Sequence, residues 1–174
     1  MKIYIGIILA FLLISCGGTK AYFDYDQEVD FSKFNTYGFY ADMESGLSEL
    51  DQDRMIAALD TVLQENNFNK SETPDFKINI FAEPFNKASN SSIGIGLGGG
   101  GGAVGGGVSG GIPVGGDQLF LSITIDFADA VTNELFWQAV VESRFNENWS
   151  PQERSEFFRE IAEKALENYP PEED

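Results

Sequence analysis

Four carboxylates at alternate positions near the start of the chain are the densest set of residues that could do chemistry: Asp24, Asp26, Glu28 and Asp30. Alternate residues of a β-strand point to one face, so a strand here would bring all four together, and Ca²⁺ takes such oxygen ligands. The run lacks the glycine and the distal glutamate of an EF-hand loop. A solvated edge strand, whose charges prevent aggregation, is therefore the favoured interpretation, and a metal site is the alternative.

Most other catalytic chemistry is excluded by residue types that are missing. There is no His, and Cys16 is the only Cys, so a Cys/His zinc site, a histidine base and a Ser-His-Asp triad cannot form. The 28 acidic residues leave a carboxylate-pair glycosidase open, but no pair stands out. Trp137 and Trp149 are candidates for stacking on sugars, although Trp137 is in phase with Leu135 and Ala139 and is expected in the core. We therefore expect no enzyme, no catalytic residue and no cofactor.

The N-terminus has the pattern of a bacterial lipoprotein signal. Lys2 gives a positive start, and residues 3–14 form an apolar run that is too short to span a bilayer but is typical of a signal peptide. The run ends in Leu13-Ile14-Ser15-Cys16, which resembles the lipobox, where a small residue precedes the cysteine that receives diacylglycerol. We predict that residues 1–15 are removed and that Cys16 is lipidated. The alternative is an ordinary secretory signal that contains a cysteine by chance.

The rest of the chain is expected to form one tethered domain. Residues 16–21 hold the lipidated cysteine and a flexible tether, residues 22–171 form an α+β domain, and residues 172–174 are an acidic tail. Two or three acyl chains anchor firmly, since each buried methylene contributes about 0.8 kcal/mol. Gly17 stands where an Asp would retain a lipoprotein in the inner membrane of enteric bacteria. We expect attachment to the outer membrane, facing the periplasm, with the cell surface as the alternative.

The chain is strongly acidic. Its formal net charge is −17, and loss of Lys2 with the signal peptide lowers it by one further unit. A field of this sign repels nucleic-acid phosphates and anionic lipid head groups, so a nucleic-acid partner is excluded. The simplest interpretation is that the charge keeps the tethered protein soluble. The alternative is a negative face that binds a basic partner.

Hydrophobic periodicity predicts five strands and two helices. The strands are expected over 21–31, 34–40, 76–83, 119–127 and 135–145, with Pro84 ending the third and a turn at 129–133. One helix is expected over 48–66, between a Ser48 cap and an Asn67 stop, and the other from Ser150, with Glu153 in a capping box, to Pro170-Pro171. The order β-α-β-β-β-α predicts a two-layer α+β sandwich, in which a mainly antiparallel sheet of four to five strands carries both helices on one face.

A glycine-rich segment, residues 94–116, joins two strands that are expected to be neighbours. Fourteen of its 23 residues are Gly. Its start matches G-x-G-x-x-G, but no helix pattern follows, and no Lys and Ser or Thr complete a phosphate-binding loop. A flexible hairpin loop is the favoured interpretation. The alternative is an apolar, adaptable loop that touches a membrane or a partner.

Several motifs, taken in order, resemble one bacterial lipoprotein family. The opening pattern of that family, DFS-x-[YF]-x-TY-x-[WF], is similar to Val29 to Phe39. Its PDF strand is similar to Thr73 to Ile78. Its hairpin, with an Asp before the turn and a Trp after it, is similar to Leu119 to Trp137. The C-terminal helix and its close are similar at Ile161, Ala165, Tyr169 and Pro170. Over residues 22–171 the chain thus resembles the lipoproteins grouped as domain of unknown function 4136. The resemblance implies a lipid anchor and a shared fold, and it carries no activity, cofactor or catalytic residue. Asn67 departs from the family, in which Gly is common at that position.

We therefore expect a membrane-anchored envelope lipoprotein that acts as a non-enzymatic binding or scaffold module. Its partners would be the membrane, through the lipid on Cys16, and an envelope protein. One alternative is a carrier of a lipid or another apolar ligand, suggested by the aromatic content and the apolar glycine-rich segment. Another is a carbohydrate-active enzyme that uses only Asp and Glu, which would need two carboxylates about 5–10 Å apart in a cleft.

Overall fold

Six strands form one mixed, open sheet. The computed structural model describes residues 18–87, 92–93, 112–113 and 118–171. The strands are β1 (Lys20–Tyr25), β2 (Thr36–Phe39), β3 (Asn69–Lys70), β4 (Phe76–Lys87), β7 (Gln118–Asp129) and β8 (Leu135–Arg144), in the order β1-β8-β7-β4-β2-β3. Two short strands, β5 (Ser92–Ile93) and β6 (Ile112–Pro113), pair with each other. Apart from the backbone of β6, the glycine-rich segment over 94–116 lies outside the described residues.

The α+β class is confirmed, and the strand count and orientation are corrected at one edge of the sheet. β1, β8, β7 and β4 pair antiparallel, as expected, whereas β2 pairs in parallel with both β3 and β4. Helix α1 (Glu49–Glu65) follows β2 and returns the chain to the end of the sheet where β2 began, as a parallel pair requires. The additional strand is β3, which at two residues is too short to leave a periodic signal.

Both helices begin at the predicted capping residues. In α1, the Ser48 side chain accepts a hydrogen bond from the amide of Asp51, and Asn67 adopts the left-handed conformation beyond the last turn, with φ 69°. In α2 (Pro151–Leu166), Ser150 and Glu153 form the complete capping box. Each of these contacts joins residues close in sequence, which is why the sequence predicts both helix starts correctly.

The first strand is shorter than predicted. β1 ends at Tyr25 rather than continuing to Phe31. The Asp26 carboxylate accepts the amide of Glu28, and the Asp26 carbonyl accepts the amide of Val29, so the chain turns. These local side-chain-to-backbone bonds satisfy the chain in the turn, at the point where its pairing with β8 ends.

The prediction that Pro84 ends a strand is also wrong, since β4 continues to Lys87. Along this strand the amides of Ile80 and Ala82 point away from β7, toward the sulfur of Met43 and the carbonyl of Ser45. An amide at position 84 would point the same way, away from β7. Pro84, which has no N–H, therefore removes no hydrogen bond from the β4–β7 ladder. Sheets tolerate proline at such positions.

One face of the sheet and both helices enclose a single core that is dominated by aromatic rings. Phe76 lies at its centre, with its ring centroid 4.8–6.2 Å from those of Phe34, Tyr37, Phe68, Phe127, Phe136 and Tyr169. Trp137 is buried in the same cluster, as its phase in the strand predicts. The opposite face of the sheet, here called the outer face, is open to solvent and exposes Tyr22 and Phe81.

Replacement of Gly46 by alanine is expected to destabilise the fold by about 1–3 kcal/mol. Gly46 has φ 72°, and a Cβ at this position would overlap the carbonyl oxygen of Ala82 in β4. Gly18→Ala is the matched control, because Gly18 also has a positive φ, of 81°, but a Cβ there would meet no atom within 4 Å. Urea unfolding of both variants measures the difference. Equal midpoints for the two variants would contradict the steric argument.

Candidate functional site

The structure does not bring the four predicted acidic residues together as a metal site. Asp24 lies on the outer face of β1, opposite Gln138 of β8. Asp26 and Glu28 lie in the turn that follows, and Asp30 lies beyond it. Within the described part of the chain, no group of three Asp, Glu, His or Cys residues is arranged to hold a metal ion. The metal-site alternative depended on a strand through all four positions, and β1 ends before Asp26.

Residues of the family motifs hold the segment between β1 and β2 in place. Asp30 caps the short 3₁₀ helix Phe31–Lys33, where its carboxylate accepts the amide and the hydroxyl of Ser32. Thr36 donates both its amide and its hydroxyl to the Asp75 carboxylate, each at 2.8 Å. The opening motif and the PDF motif are therefore joined by hydrogen bonds, and the acids in them have structural roles.

The Asp75→Asn variant is expected to lose stability at neutral pH, and this deficit should shrink as the pH falls. Burial alone would raise the pKa of Asp75, but hydrogen bonds from Thr36 and Asn35 outweigh it and lower the pKa below the ordinary Asp value. A carboxyl whose pKa is lower in the folded chain stabilises the fold above its unfolded pKa of about 3.9. That contribution disappears as the pH falls through the folded pKa. Urea unfolding of both proteins between about pH 7 and about pH 2 measures the deficit. A deficit that does not change over this range would contradict the assignment.

A hollow of about 380 Å³ lies on the outer face, at the end of the sheet where β8 begins. Its lining consists of Tyr40, Asp42, Asn79, Asp126, Ala128 and Leu135. Asn79 and Asp126 lie opposite each other on β4 and β7, whereas Tyr40 and Asp42 follow the end of β2. Leu135 is 52% exposed and forms an apolar rim.

A second hollow, of about 220 Å³, adjoins the first at Leu135. It is lined by Asp24, Tyr25, Asp26, Leu135, Phe136, Trp137 and Gln138. The Nε2 atom of Gln138 donates to Oδ1 of Asp126 at 2.7 Å, which joins the two linings. One row across four strands also contains Asp24, Gln138, Asp126 and Asn79. We therefore treat the two spaces together as one site, the acidic hollow.

The acidic hollow offers hydrogen-bond acceptors and negative charge. Its lining includes four carboxylates, and among the described residues that form it there is no Lys or Arg. Lys77 is nearby, but its ammonium lies over the Tyr40 ring, 5.4 Å from the ring centroid. Carboxylates next to exposed aromatic and aliphatic surface are complementary to a guanidinium or ammonium group on an apolar stem.

Sequence reasoning missed most of this site. The outward phase of Asn79 and Asp126 was readable from the alternation of their strands, but the register that places them side by side was not. Trp149, the candidate for sugar stacking, is partly buried and packs against Phe145 and Phe157. Residues 1–15 and Cys16 lie outside the described residues, so removal of the signal peptide and lipidation remain predictions.

Comparison with known proteins identifies the family. A model described as Domain of unknown function (DUF4136) matches residues 21–171. The chain belongs to this family. The matched range agrees with the domain predicted from the motifs over residues 22–171, so the predicted DUF4136 membership is confirmed. No curated protein matches this DUF4136 chain.

Solved structures resemble this DUF4136 chain in fold at low sequence identity. A PDZ domain protein from Parabacteroides distasonis aligns with a TM-score of 0.55 and 12% identity over 96% of this chain and 40% of that one. The DUF4136 chain therefore spans less than half of that protein. A PelC dodecamer subunit from Paraburkholderia phytofirmans aligns with a TM-score of 0.50 and 9% identity over 86% of this chain and 96% of that one. Identities this low show a shared fold alone. In the ranges that the structure describes, no helix has the length and apolar character to cross a membrane.

Proposed function

We propose that this DUF4136 protein is a non-enzymatic binding module of the bacterial envelope. In this proposal, a lipid on Cys16 attaches it to the outer membrane, and the acidic hollow binds a basic segment of a partner protein. The observation that carries the proposal is the lining of the hollow: Asp42 and Asp126 share one space with Tyr40 and Leu135, and Asp24 and Asp26 line the adjoining space, which Leu135 also borders.

Charge supports a basic partner. A net charge of −17 attracts cationic segments over a distance and accelerates their encounter with the protein. Within the hollow, a hydrogen bond between a guanidinium and a carboxylate contributes about 1.5–3 kcal/mol, more than a neutral pair. The Tyr40 ring and the Leu135 rim can cover the aliphatic stem of the same side chain.

The start of the domain supports a short lipid tether. β1 begins at Lys20, only four residues after Cys16. Four extended residues span at most about 14 Å, so acyl chains on Cys16 would hold the domain close to the bilayer. The apolar run before Cys16 and the small Ser15 next to it fit a lipoprotein signal.

A photo-crosslinking amino acid at position 135 tests the binding site in cells. Leu135, on the rim of the hollow, is expected to give a discrete crosslink whose partner peptide is rich in Lys or Arg. The double variant Asp42→Asn and Asp126→Asn should reduce this crosslink about tenfold or more, because two charge-assisted hydrogen bonds are lost. Mass spectrometry of the crosslinked peptide identifies the partner segment.

Two matched controls accompany this experiment. A crosslinker at Leu50, which is 65% exposed at the start of α1, should not capture the same peptide. Asp53→Asn, an exposed acid on the same helix, should leave the crosslink at position 135 unchanged. A crosslinked peptide without basic residues, or a crosslink that survives neutralisation of Asp42 and Asp126, would refute the proposal.

A further inference from the structure

The end of the sheet opposite the acidic hollow carries two aromatic rings and two cations on its outer face. These residues, here called the basic aromatic edge, are Phe85, Lys87, Phe120 and Arg144. The Phe85 and Phe120 ring centroids are 5.5 Å apart, and the Lys87 ammonium lies 5.3 Å from the centroid of Phe120. Arg144, the last residue of β8, is directly opposite Phe120 in the ladder.

The cations of this edge differ from most others in the protein. Six Lys and Arg residues form ion pairs with carboxylates: Lys33, Arg54, Lys70, Arg154, Arg159 and Lys164. Lys87 and Arg144 are exposed, and within the described ranges neither has a carboxylate within 4.0 Å. Glu83 and Glu142 lie one row further from the edge on the same face. Among the described residues, the last rows at this end of the sheet are therefore cationic and aromatic, in a protein that is acidic as a whole.

The basic aromatic edge is also the end at which the tether leaves the domain. Lys20, the first residue of β1, is opposite Glu142, two residues before Arg144 along β8. Neighbouring strands lie about 4.8 Å apart, so the edge from β1 to β4 is about 14 Å wide. The four residues from Cys16 to Lys20 span at most about 14 Å, so acyl chains on Cys16 would lie close to the basic aromatic edge.

We propose that the basic aromatic edge rests on the anionic phospholipid head groups of the membrane that holds the acyl chains. This inference depends on the lipid anchor of the proposed function. Lys87 and Arg144 supply the charge complementary to lipid phosphates, and Phe85 and Phe120 supply apolar surface at the boundary with the acyl chains. The anchor makes this contact effective, because it keeps the edge at a high local concentration next to the lipids. Repulsion between the bilayer and the acidic remainder of the domain favours the same orientation.

A fluorescence experiment on the full-length, lipidated protein tests this orientation. An environment-sensitive dye is attached to a cysteine at position 118, because Gln118 is directly opposite Lys87 and has the same phase in β7 as Phe120. Emission should rise about twofold and shift to the blue when about 30 mol% phosphatidylglycerol is included in phosphatidylcholine vesicles. The same dye at position 131, where Val131 is 89% exposed in the turn at the other end of the sheet, should not respond.

Charge reversal distinguishes lipid contact from simple anchoring. The double variant Lys87→Glu and Arg144→Glu should abolish the dye response while the protein still floats with the vesicles through its acyl chains. Lys77→Glu removes the cation that lies over Tyr40 at the opposite end and should leave the response intact. If the unsubstituted protein floats with the vesicles but its dye does not respond to phosphatidylglycerol, the proposed orientation is wrong and the lipid anchor is unaffected. Failure to float with phosphatidylcholine vesicles would remove the anchor, and the orientation with it.

Discussion

The Asp51→Ala variant is expected to lose about 3–5 kcal/mol of stability, because it leaves two arginines facing each other without their shared anion. Asp51 is only 4% exposed in the first turn of α1. Its two carboxylate oxygens accept guanidinium hydrogen bonds from Arg54 on the same helix and from Arg154 on α2. Arg154 also donates to the carbonyls of Glu147 and Trp149, so this one carboxylate joins both helix starts and the chain before α2.

Urea unfolding near neutral pH measures this loss, with Asp53→Ala as the matched control. Asp53 lies on the same helix turn but is exposed, and surface substitutions of this kind stay within about 0.5 kcal/mol. The double variant Asp51→Ala and Arg54→Ala should recover part of the loss, since it also removes one of the two unpaired charges. A loss below about 1 kcal/mol in Asp51→Ala would show that the two arginines are satisfied in another way.

We expect the second large loss of stability when the ring of Phe76 is removed. Phe76→Ala should cost about 3–5 kcal/mol, because its ring is fully buried at the centre of the core and contacts six other rings. Phe81→Ala is the control on the same strand, since Phe81 is 44% exposed on the outer face and should lose about 1 kcal/mol or less. Thermal and urea unfolding compare the pair. Similar losses in the two variants would contradict the assignment of buried and open faces to β4.

The features that could be predicted from sequence are those set by neighbouring residues. The turn expected over 129–133 is present, because the Asp129 carboxylate accepts the amides of Val131 and Thr132 and Asn133 takes a positive φ of 59°. The capping box of Ser150 and Glu153 has the same character. In each case the donor and the acceptor lie within a few residues, so the chain around them contains the whole signal.

The end of β1 shows why alternation alone was not sufficient. Asp24 and Asp26 have the same side chain and the same phase, yet only Asp24 lies in the strand. Among the described strands β1 pairs only with β8, and the amide of Asp26 makes a last bond to the carbonyl of Phe136, next to the first residue of that strand. The strand therefore ends where its partner ends, and that limit is set by a segment more than a hundred residues away.

The acidic hollow could not be predicted for a similar reason. Asn79 and Asp126 become neighbours only through the β4–β7 register, and Gln138 reaches Asp126 only through the β7–β8 register. Asp42 comes from a loop after the parallel strand β2, whose position depends on where α1 returns the chain. A pattern along one segment carries no information about these long-range distances.

The antiparallel pairing of β1 with β8 also determines how the domain would carry mechanical load. The proposed tether would pull at Lys20, the first residue of β1, while a partner bound in the hollow would pull at Gln138 of β8 and Asp126 of β7, toward the other end of the sheet. Such a force runs along the strand axis, perpendicular to the interstrand hydrogen bonds. It therefore loads the bonds from Lys20 to Tyr25 together, in shear, instead of opening them one at a time. An edge strand pulled in this direction resists extension, so β1 would be suited to transmit tension between the proposed membrane anchor and the proposed partner.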